Sequence, residues 1–252
     1  MPMPAILDWI KPLIGGECKA EFAAEPIVDF RSGRIIGHEI LCRRLPFPSK
    51  VRAWRHWYGA LAGHFESMEK TGLASIFPGD GWISINLDTW QITDGPILKA
   101  VIRIAERFHA GNRPLAIEWT ERGPAMNLPE IGSVSRSLDC LRARLGVLLI
   151  LDDMGDGLDF HSKVSSLRPD YGKIAGVLFH SGRESHRARL SIASIRDLLS
   201  KVGSHPVVEW IESNDDLRLA DSLGLTLGQG HLWNLNPDRI GMTLKPGREE
   251  WQ

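Results

Sequence analysis

Apolar positions along the chain follow two alternating rhythms. Short, nearly continuous apolar runs recur as EPIVDF (25–30), RIIGHEILC (34–42), WISINL (82–87), PLAIEW (114–119), VLLILDD (147–153), YGKIAGVLF (171–179), PVVEWIE (206–212) and LTLGQGHLW (225–233). Runs of this kind, bounded by turn residues, read as strands buried on both faces. Between them, GPILKAVIRIAERFHAG, SVSRSLDCLRARLG, RARLSIASIRDLLSKVG and NDDLRLADSLG repeat apolar residues at three- and four-residue steps, and several close on Gly or a basic residue. These are helical patterns. Strands that alternate with helices build parallel βα units. Eight such strands predict an α/β fold, a (β/α)8 TIM-type barrel, with a doubly wound open sheet as the alternative. RSGRI (31–35) reads as a turn, so the first two strands should pair as an antiparallel hairpin.

Residues 43–80 are irregular except for RAWRHWYGALAGHFESMEK, which reads as one helix. A chain of 252 residues could hold one barrel or two smaller domains. No linker, repeat or low-complexity tract divides it, so residues 20–252 are expected to form one barrel domain. Residues 1–19 are expected to precede it as a short helical extension.

Composition narrows the function without naming it. With 43% hydrophobic residues, 24% charged residues and a net charge of −1, the chain has no electrostatic footprint for DNA, RNA or a membrane surface. No stretch approaches the roughly 20 apolar residues of a membrane span. Asp8 and Lys11 interrupt the N-terminal apolar patches, which makes a poor signal peptide. Cys18, Cys42 and Cys140 are scattered, odd in number and without a CxxC pair, which points to reduced thiols in a cytoplasmic protein.

The chemistry gathers where the apolar runs end. VLLIL runs into Asp152 and Asp153, and other runs carry Glu39, Asn86, Glu118 and Glu209 near their C-terminal ends, with Lys173 and Gln229 in two more. In a parallel barrel these ends converge on one face. Five carboxylates cannot be neutralised by one basic group, and buried carboxylates are rare unless compensated. Hard divalent cations held by oxygen ligands would compensate them. That donor set suits Mg²⁺ or Mn²⁺ better than Zn²⁺, since no His pair stands at ligand spacing.

These segments, from about Glu25 to Pro237, resemble the EAL family of cyclic di-GMP phosphodiesterases. The signature Glu-Ala-Leu with an Arg two residues on is Glu39-Ile40-Leu41-Cys42-Arg43, and the strand ending in Asn-Leu is Asn86-Leu87. Glu-x-Thr-Glu is Glu118-Trp119-Thr120-Glu121, and the Asp-Asp-Phe-Gly-Thr-Gly loop is Asp152-Asp153-Met154-Gly155-Asp156-Gly157. Asp170 and Lys173 fit a further run, Glu209 and Glu212 match Ala-Glu-Gly-Val-Glu, and Gln229-Gly230 matches the family's Gln-Gly.

The resemblance implies a modified (β/α)8 barrel with an initial antiparallel strand pairing, and hydrolysis of cyclic di-GMP to linear pGpG. It implies two divalent cations, Mg²⁺ or Mn²⁺, held by Glu39, Asn86, Glu118, Asp152, Asp153 and Glu209. Lys173, Gln229 and Glu209 would act on the attacking water, with the pKa of Lys173 lowered toward neutrality by desolvation beside the cations. Arg43 and Leu41 would contact the substrate, and Glu121 would anchor the loop after the paired aspartates. A homodimer is compatible with this reading.

Four departures from the family pattern bear on activity. Ala175 stands where an Asp is expected, on the same strand face as Lys173, and the 154–160 loop gains Asp156 and Asp159. Ile40 follows the signature Glu and Trp210 follows Glu209; with Trp119, strand alternation should turn both away from the barrel interior. The stretch between Arg43 and Asn86 is short. Among the nine tryptophans, Trp54 and Trp57 are candidates for stacking on guanine, against a plain packing role. Two functions are therefore expected in competition. One is a slow metal-dependent phosphodiesterase. The other is a weak or inactive module that binds cyclic di-GMP or a protein partner.

Overall fold

Eight strands close into one barrel in sequence order, in a computed structural model that describes residues 21–44, 50–67, 77, 79–120, 128–155 and 160–234. They are β1 (Glu21–Asp29), β2 (Arg34–Arg44), β3 (Trp82–Asp88), β4 (Leu115–Thr120), β5 (Leu148–Met154), β6 (Tyr171–Ile174), β7 (His205–Val208) and β8 (Leu227–Gln229). β1 runs antiparallel to both its neighbours, β2 and β8, and every other pair is parallel. The open sheet is excluded and the antiparallel start is present. Its hairpin turns at Gly33, whose φ of 70° suits a residue without a Cβ. There the Gly33 amide donates to the Asp29 carbonyl, and the Asp29 carboxylate accepts from Arg31 N and Ser32 Oγ. Residues 1–19 lie outside the described residues.

Helices cover the barrel: α1 (Lys50–Ser67), α2 (Thr89–Ile92), α3 (Gly95–Ala110), α4 (Leu128–Leu145), α5 (Phe160–Leu167), α6 (Gly176–Ser181), α7 (His186–Lys201), α8 (Asn214–Ser222) and α9 (His231–Asn234). The long ones match the helical patterns within a few residues. α3 shows why its start is sharp: Asp94 accepts from Ile97 N at 3.1 Å, and Pro96 sits in the first turn, where its missing N–H leaves no bond unmade. None of the described helices is long and apolar enough to cross a membrane.

The last three strands stop short of the runs that predicted them. YGKIAGVLF divides into β6 and α6, PVVEWIE leaves the sheet after Val208, and LTLGQGHLW divides into β8 and α9. Periodicity cannot separate a buried strand from the buried start of the next helix in a short apolar run. Here the chain leaves the barrel just where the apolar run continues.

The barrel interior is layered by strand alternation. Ile27, Trp82, Ala116, Ile150 and Val207 form an apolar plug, with Leu148, Tyr171 and Leu227 packed on it. Trp82 fills the space beside Gly37, where a Cβ would come within 2.4 Å of its indole. Two residues further along the parallel strands stand Ser84, Glu118, Asp152, Lys173 and Glu209. The plug therefore forms a floor beneath a polar layer. The other strand faces join the helices in the main core through Ile40, Ile85, Ile117, Trp119, Leu149, Leu151 and Val208.

Asp216, buried at the start of α8, ties that helix to the segment that follows β7. It accepts from Arg183 at 2.8 Å, from Ser213 Oγ at 2.9 Å, and from the amides of Glu212 and Ser213 at 3.1 and 3.0 Å. Burial pushes its carboxyl up, but the Arg183 and Ser213 donors and the Glu212 amide outweigh it, and the net shift is below the ordinary value of 3.8. A depressed folded-state pKa contributes stability that is fully present above about pH 4 and is lost as pH falls through the depressed value. Asp216→Asn is expected to destabilise the protein by about 1.5–3 kcal/mol at pH 7, the range for hydrogen bonds to a charged group. In urea titrations the deficit should narrow at pH 3. A deficit independent of pH would assign the loss to packing.

Candidate active site at the C-terminal end of the barrel

Strand ends place the site. A cavity of about 550 Å³ opens at the C-terminal face, lined by Glu25, Glu39, Leu41, Asn86, Asp152, Asp153, Lys173, Glu209, Trp210, Glu212, Gln229, Gly230 and His231. Its size lies in the range of small-molecule sites. Residues up to about 200 positions apart in sequence meet here because the parallel strands end on this face, while antiparallel β1 brings Glu25 opposite Glu39.

Lys173 is the hub. Its Nζ lies 2.8 Å from Glu209, 3.0 Å from Glu118, 3.1 Å from Glu39 and 3.2 Å from Asp152, with its side chain 3% exposed. Glu39 is held from three sides: Asn86 Nδ2 donates to Oε1 at 2.6 Å, and Gln229 Nε2 and Lys173 Nζ donate to Oε2 at 2.7 and 3.1 Å. Glu118 is fully buried beneath Lys173, its second oxygen taking a hydrogen bond from Ser84 Oγ, so it does not line the cavity. The α1 helix contributes from outside the barrel, where the Tyr58 hydroxyl donates to the Asn86 carbonyl and holds the end of β3.

Four carboxylates share one ammonium, and the titration of the group shows the excess. Burial pushes Glu118 up, with Glu39 and Asp152 adding repulsion, to about 8. Burial pushes Glu209 up to about 7, against the pull of Lys173. In Glu39 burial again pushes up, but Lys173, Asn86 and Gln229 outweigh it and the net shift is downward. For Lys173 burial alone would lower the pKa, yet Asp152, Glu118, Glu209 and Glu39 together hold it well above the ordinary lysine value. The lowering toward neutrality expected from sequence was for a lysine beside bound cations; among the protein's own groups the shift is upward. Desolvation favours the neutral amine, but the carboxylates that the barrel gathers round the ammonium favour the charged form more strongly.

Beside this cluster, one oxygen each from Asp152, Asp153 and Glu209 lie within 4.8 Å of one another. Asp153 reaches this position through a left-handed backbone, φ 49°, just before Gly155 at φ 112° completes the turn. Asp152 Oδ1 lies within ion-pair range of Lys173 but off its hydrogen-bond direction, and with Gln229 Oε1 it is buried without a hydrogen-bond donor. Asp152 Oδ1 thus has the Lys173 ammonium for charge but no hydrogen bond, a state in which a further cation would be favourable.

Most residues singled out from sequence therefore meet in one place: Glu39, Leu41, Asn86, Asp152, Asp153, Lys173, Glu209 and Gln229 line the cavity, and Glu118 lies under it. Arg43 belongs to β2, but its side chain lies outside the described set, and Glu121, Asp156 and Asp159 lie outside the described residues. Asp170 sits at the opposite end of β6, where its carboxylate accepts from the Leu149 amide and Arg142. It is a strap between elements.

One expectation is corrected, and the competing readings of Trp54 and Trp57 are decided. Ile40 and Trp119 do turn outward into the core, with Trp119 Nε1 donating to Thr89, but Trp210 is 48% exposed and lines the cavity. β7 ends two residues before it and its φ is 60°, so alternation no longer applies. Ala175 is the first residue after β6, which ends at Ile174, and it is buried just ahead of α6. Trp57 is 2% exposed and Trp54 packs against Trp57 and Tyr58, so both belong to the core.

Sequence reading missed Ser84 and Glu25. Ser84 precedes Asn86 by two positions on the same strand face, and that spacing was a usable signal. Glu25 stands opposite Glu39 in the β1–β2 register and accepts from Gln229 at 3.3 Å, a pairing visible only once the hairpin register is known.

The chain is similar to known proteins. The cyclic di-GMP phosphodiesterase PA2567 of Pseudomonas aeruginosa is 25% identical over 90% of the chain, and RocR, a cyclic di-GMP phosphodiesterase of the same organism, is 24% identical over 92%. The chain spans only 40% and 60% of the lengths of those two relatives. Among solved structures, the manganese and cyclic di-GMP complex of Klebsiella pneumoniae BlrP1 superposes with a TM-score of 0.69 at 24% identity, covering 92% of this chain and 58% of that one. The EAL domain profile matches residues 62–235, beginning after the Glu39-Ile40-Leu41 segment that the barrel nevertheless closes into the same ring. That match covers more than half of the chain, from within α1 to just past α9, and the chain therefore belongs to the EAL domain family.

Proposed function

We propose that the chain is a divalent-cation-dependent phosphodiesterase that opens cyclic di-GMP to linear pGpG. The observation that carries this reading is the meeting of Asp152, Asp153 and Glu209 oxygens within 4.8 Å, at the mouth of a cavity whose floor is a lysine already shared among four carboxylates. The relatives named above, and the manganese and cyclic di-GMP bound to BlrP1, support the choice of substrate and cation.

The residues fit a hard cation. All the donors are oxygens, the cluster is over-supplied with negative charge, and the Asp152 Oδ1 acceptor is buried without a donor. Glu39, Asn86, Glu118, Asp152, Asp153 and Glu209 are the proposed holders of two Mg²⁺ or Mn²⁺ ions. When bound, such ions supply Lewis-acid stabilisation of phosphate charge and lower the pKa of an attacking water. In the reaction the water oxygen bonds to one phosphorus, the P–O3′ bond breaks, and the departing oxygen gains a proton.

The chain's own groups prepare that step. Lys173 keeps Glu39, Glu118, Asp152 and Glu209 at fixed separations and offers positive charge where the phosphorane oxygens develop negative charge. Gln229 and Asn86 clamp both oxygens of Glu39, which leaves that carboxylate no freedom to rotate. Leu41 lines the cavity as an apolar wall, and Arg43 is the proposed fork-shaped donor to a phosphate.

The test is direct. Purified protein incubated with cyclic di-GMP and Mg²⁺ or Mn²⁺ is expected to release pGpG, resolved by ion-exchange chromatography, and EDTA is expected to stop it. Binding of cyclic di-GMP without product would overturn the catalytic reading and leave a binding module.

A further inference from the structure

We infer that Trp210 is the stacking platform for one purine base of the bound dinucleotide, an inference that rests on the substrate proposed above. Trp210 directly follows Glu209 and lines the same cavity as the carboxylate cluster. Among the described residues it is one of four large apolar side chains left exposed, at 48%, whereas Trp57, Trp82, Trp119 and Trp233 are buried.

Its backbone sharpens the point. At φ 60° it lies in the left-handed region, which is sterically unfavourable for a bulky side chain and open to glycine. A strained non-glycine residue of this kind persists where the surroundings over-determine it, commonly at ligand sites. The surroundings here do so. Gly176 leaves the seat for the ring: a Cβ there would come within 2.2 Å of Trp210 Cγ and Cδ2. The His180 ring meets the indole edge-on, with centroids 5.5 Å apart and planes at 68°, and His180 Nε2 stands 2.9 Å from the Trp210 carbonyl oxygen. The next residue, Ile211, is fixed to β8 and α9, donating to the Gln229 carbonyl and accepting from the Leu232 amide. The ring is thus held in one orientation at the rim, and little freedom remains to be lost on binding.

The chemistry selects the ligand part. The cavity floor and walls are dominated by carboxylates and amides suited to cations and to the polar backbone of a dinucleotide. An exposed indole beside them offers what a purine needs: a broad apolar π-face that accepts a base irrespective of its hydrogen-bonding edge. A phosphodiester held over Asp152, Asp153 and Glu209 would have its bases within the same cavity that Trp210 lines.

The test compares wild type with Trp210→Gly and Trp210→Phe, using cyclic di-GMP in Ca²⁺ for equilibrium binding by calorimetry and in Mn²⁺ for steady-state kinetics. Trp210→Gly is expected to weaken binding by about tenfold or more, as for loss of one aromatic stack, and to raise KM far more than it lowers kcat. Its Tm should equal or exceed that of wild type, because the strained φ is relieved, which separates the loss from misfolding. Trp210→Phe should keep binding within about threefold and lose part of the ligand-induced quenching of tryptophan emission. Unchanged binding in Trp210→Gly overturns the inference, and tighter binding overturns it in favour of an occluding side chain. A wild type that binds no cyclic di-GMP in either metal overturns the substrate reading and the stack with it.

Discussion

Lys173→Met is expected to abolish pGpG release and to lower the stability of the metal-free protein by about 3–5 kcal/mol, the scale of breaking a buried ion pair from one side. Methionine retains most of the packing volume, so the loss reports charge. The variant leaves Glu39, Glu118, Asp152 and Glu209 together in a barrel closed from below by an apolar plug, with no counter-charge among them. Urea titration in EDTA measures the effect. Repeating it with saturating Mn²⁺ should recover more stability in the variant than in wild type, since a ligand that binds only the folded state adds stability through its own affinity. A wild-type midpoint in EDTA would show that the carboxylates have dispersed, and would remove Lys173 from the centre of the site.

Glu39→Ala and Asp152→Ala are each expected to reduce turnover by more than about a hundredfold, which is the upper end for losing a mere outer-shell partner of a metal ligand. The two should differ in their side effects. Glu39 accepts from Asn86, Gln229 and Lys173, so its removal takes one acceptor from each of three buried donors and should also reduce stability. Asp152 already has an oxygen without a donor, so Asp152→Ala should weaken Mn²⁺ binding while sparing or raising stability in EDTA. Isothermal titration with Mn²⁺ and urea titration in EDTA separate the two. Near-normal turnover in either variant would overturn its assignment.

Most of the site was legible before the fold because barrel strands announce themselves as apolar runs and their chemistry sits at one end. Glu39, Asn86, Glu118, Asp152, Lys173, Glu209 and Gln229 each stand out as a polar residue interrupting an apolar pattern. Ser84 did not stand out, although its two-residue spacing from Asn86 put it on the same strand face, and Glu25 gains meaning only from the register that faces it to Glu39. Trp210 escaped for a related reason. Alternation is a property of strands, and the strand had already ended at Val208.

By itself the sequence determined the alternation of strands and helices, the antiparallel first pair and the row of carboxylates near the strand ends. These follow from hydrophobic period, turn residues and side-chain type, all of which are local. Only the tertiary structure decided how the charges divide. Lys173 is held protonated by four carboxylates drawn from β2, β4, β5 and the end of β7, while Glu118 and Glu209 are pushed toward neutrality. Coulomb interactions and desolvation depend on distance and burial, and chain order records neither. The same holds for Trp210, whose exposure depends on a left-handed φ, the bare Cα of Gly176 and the place where β7 stops.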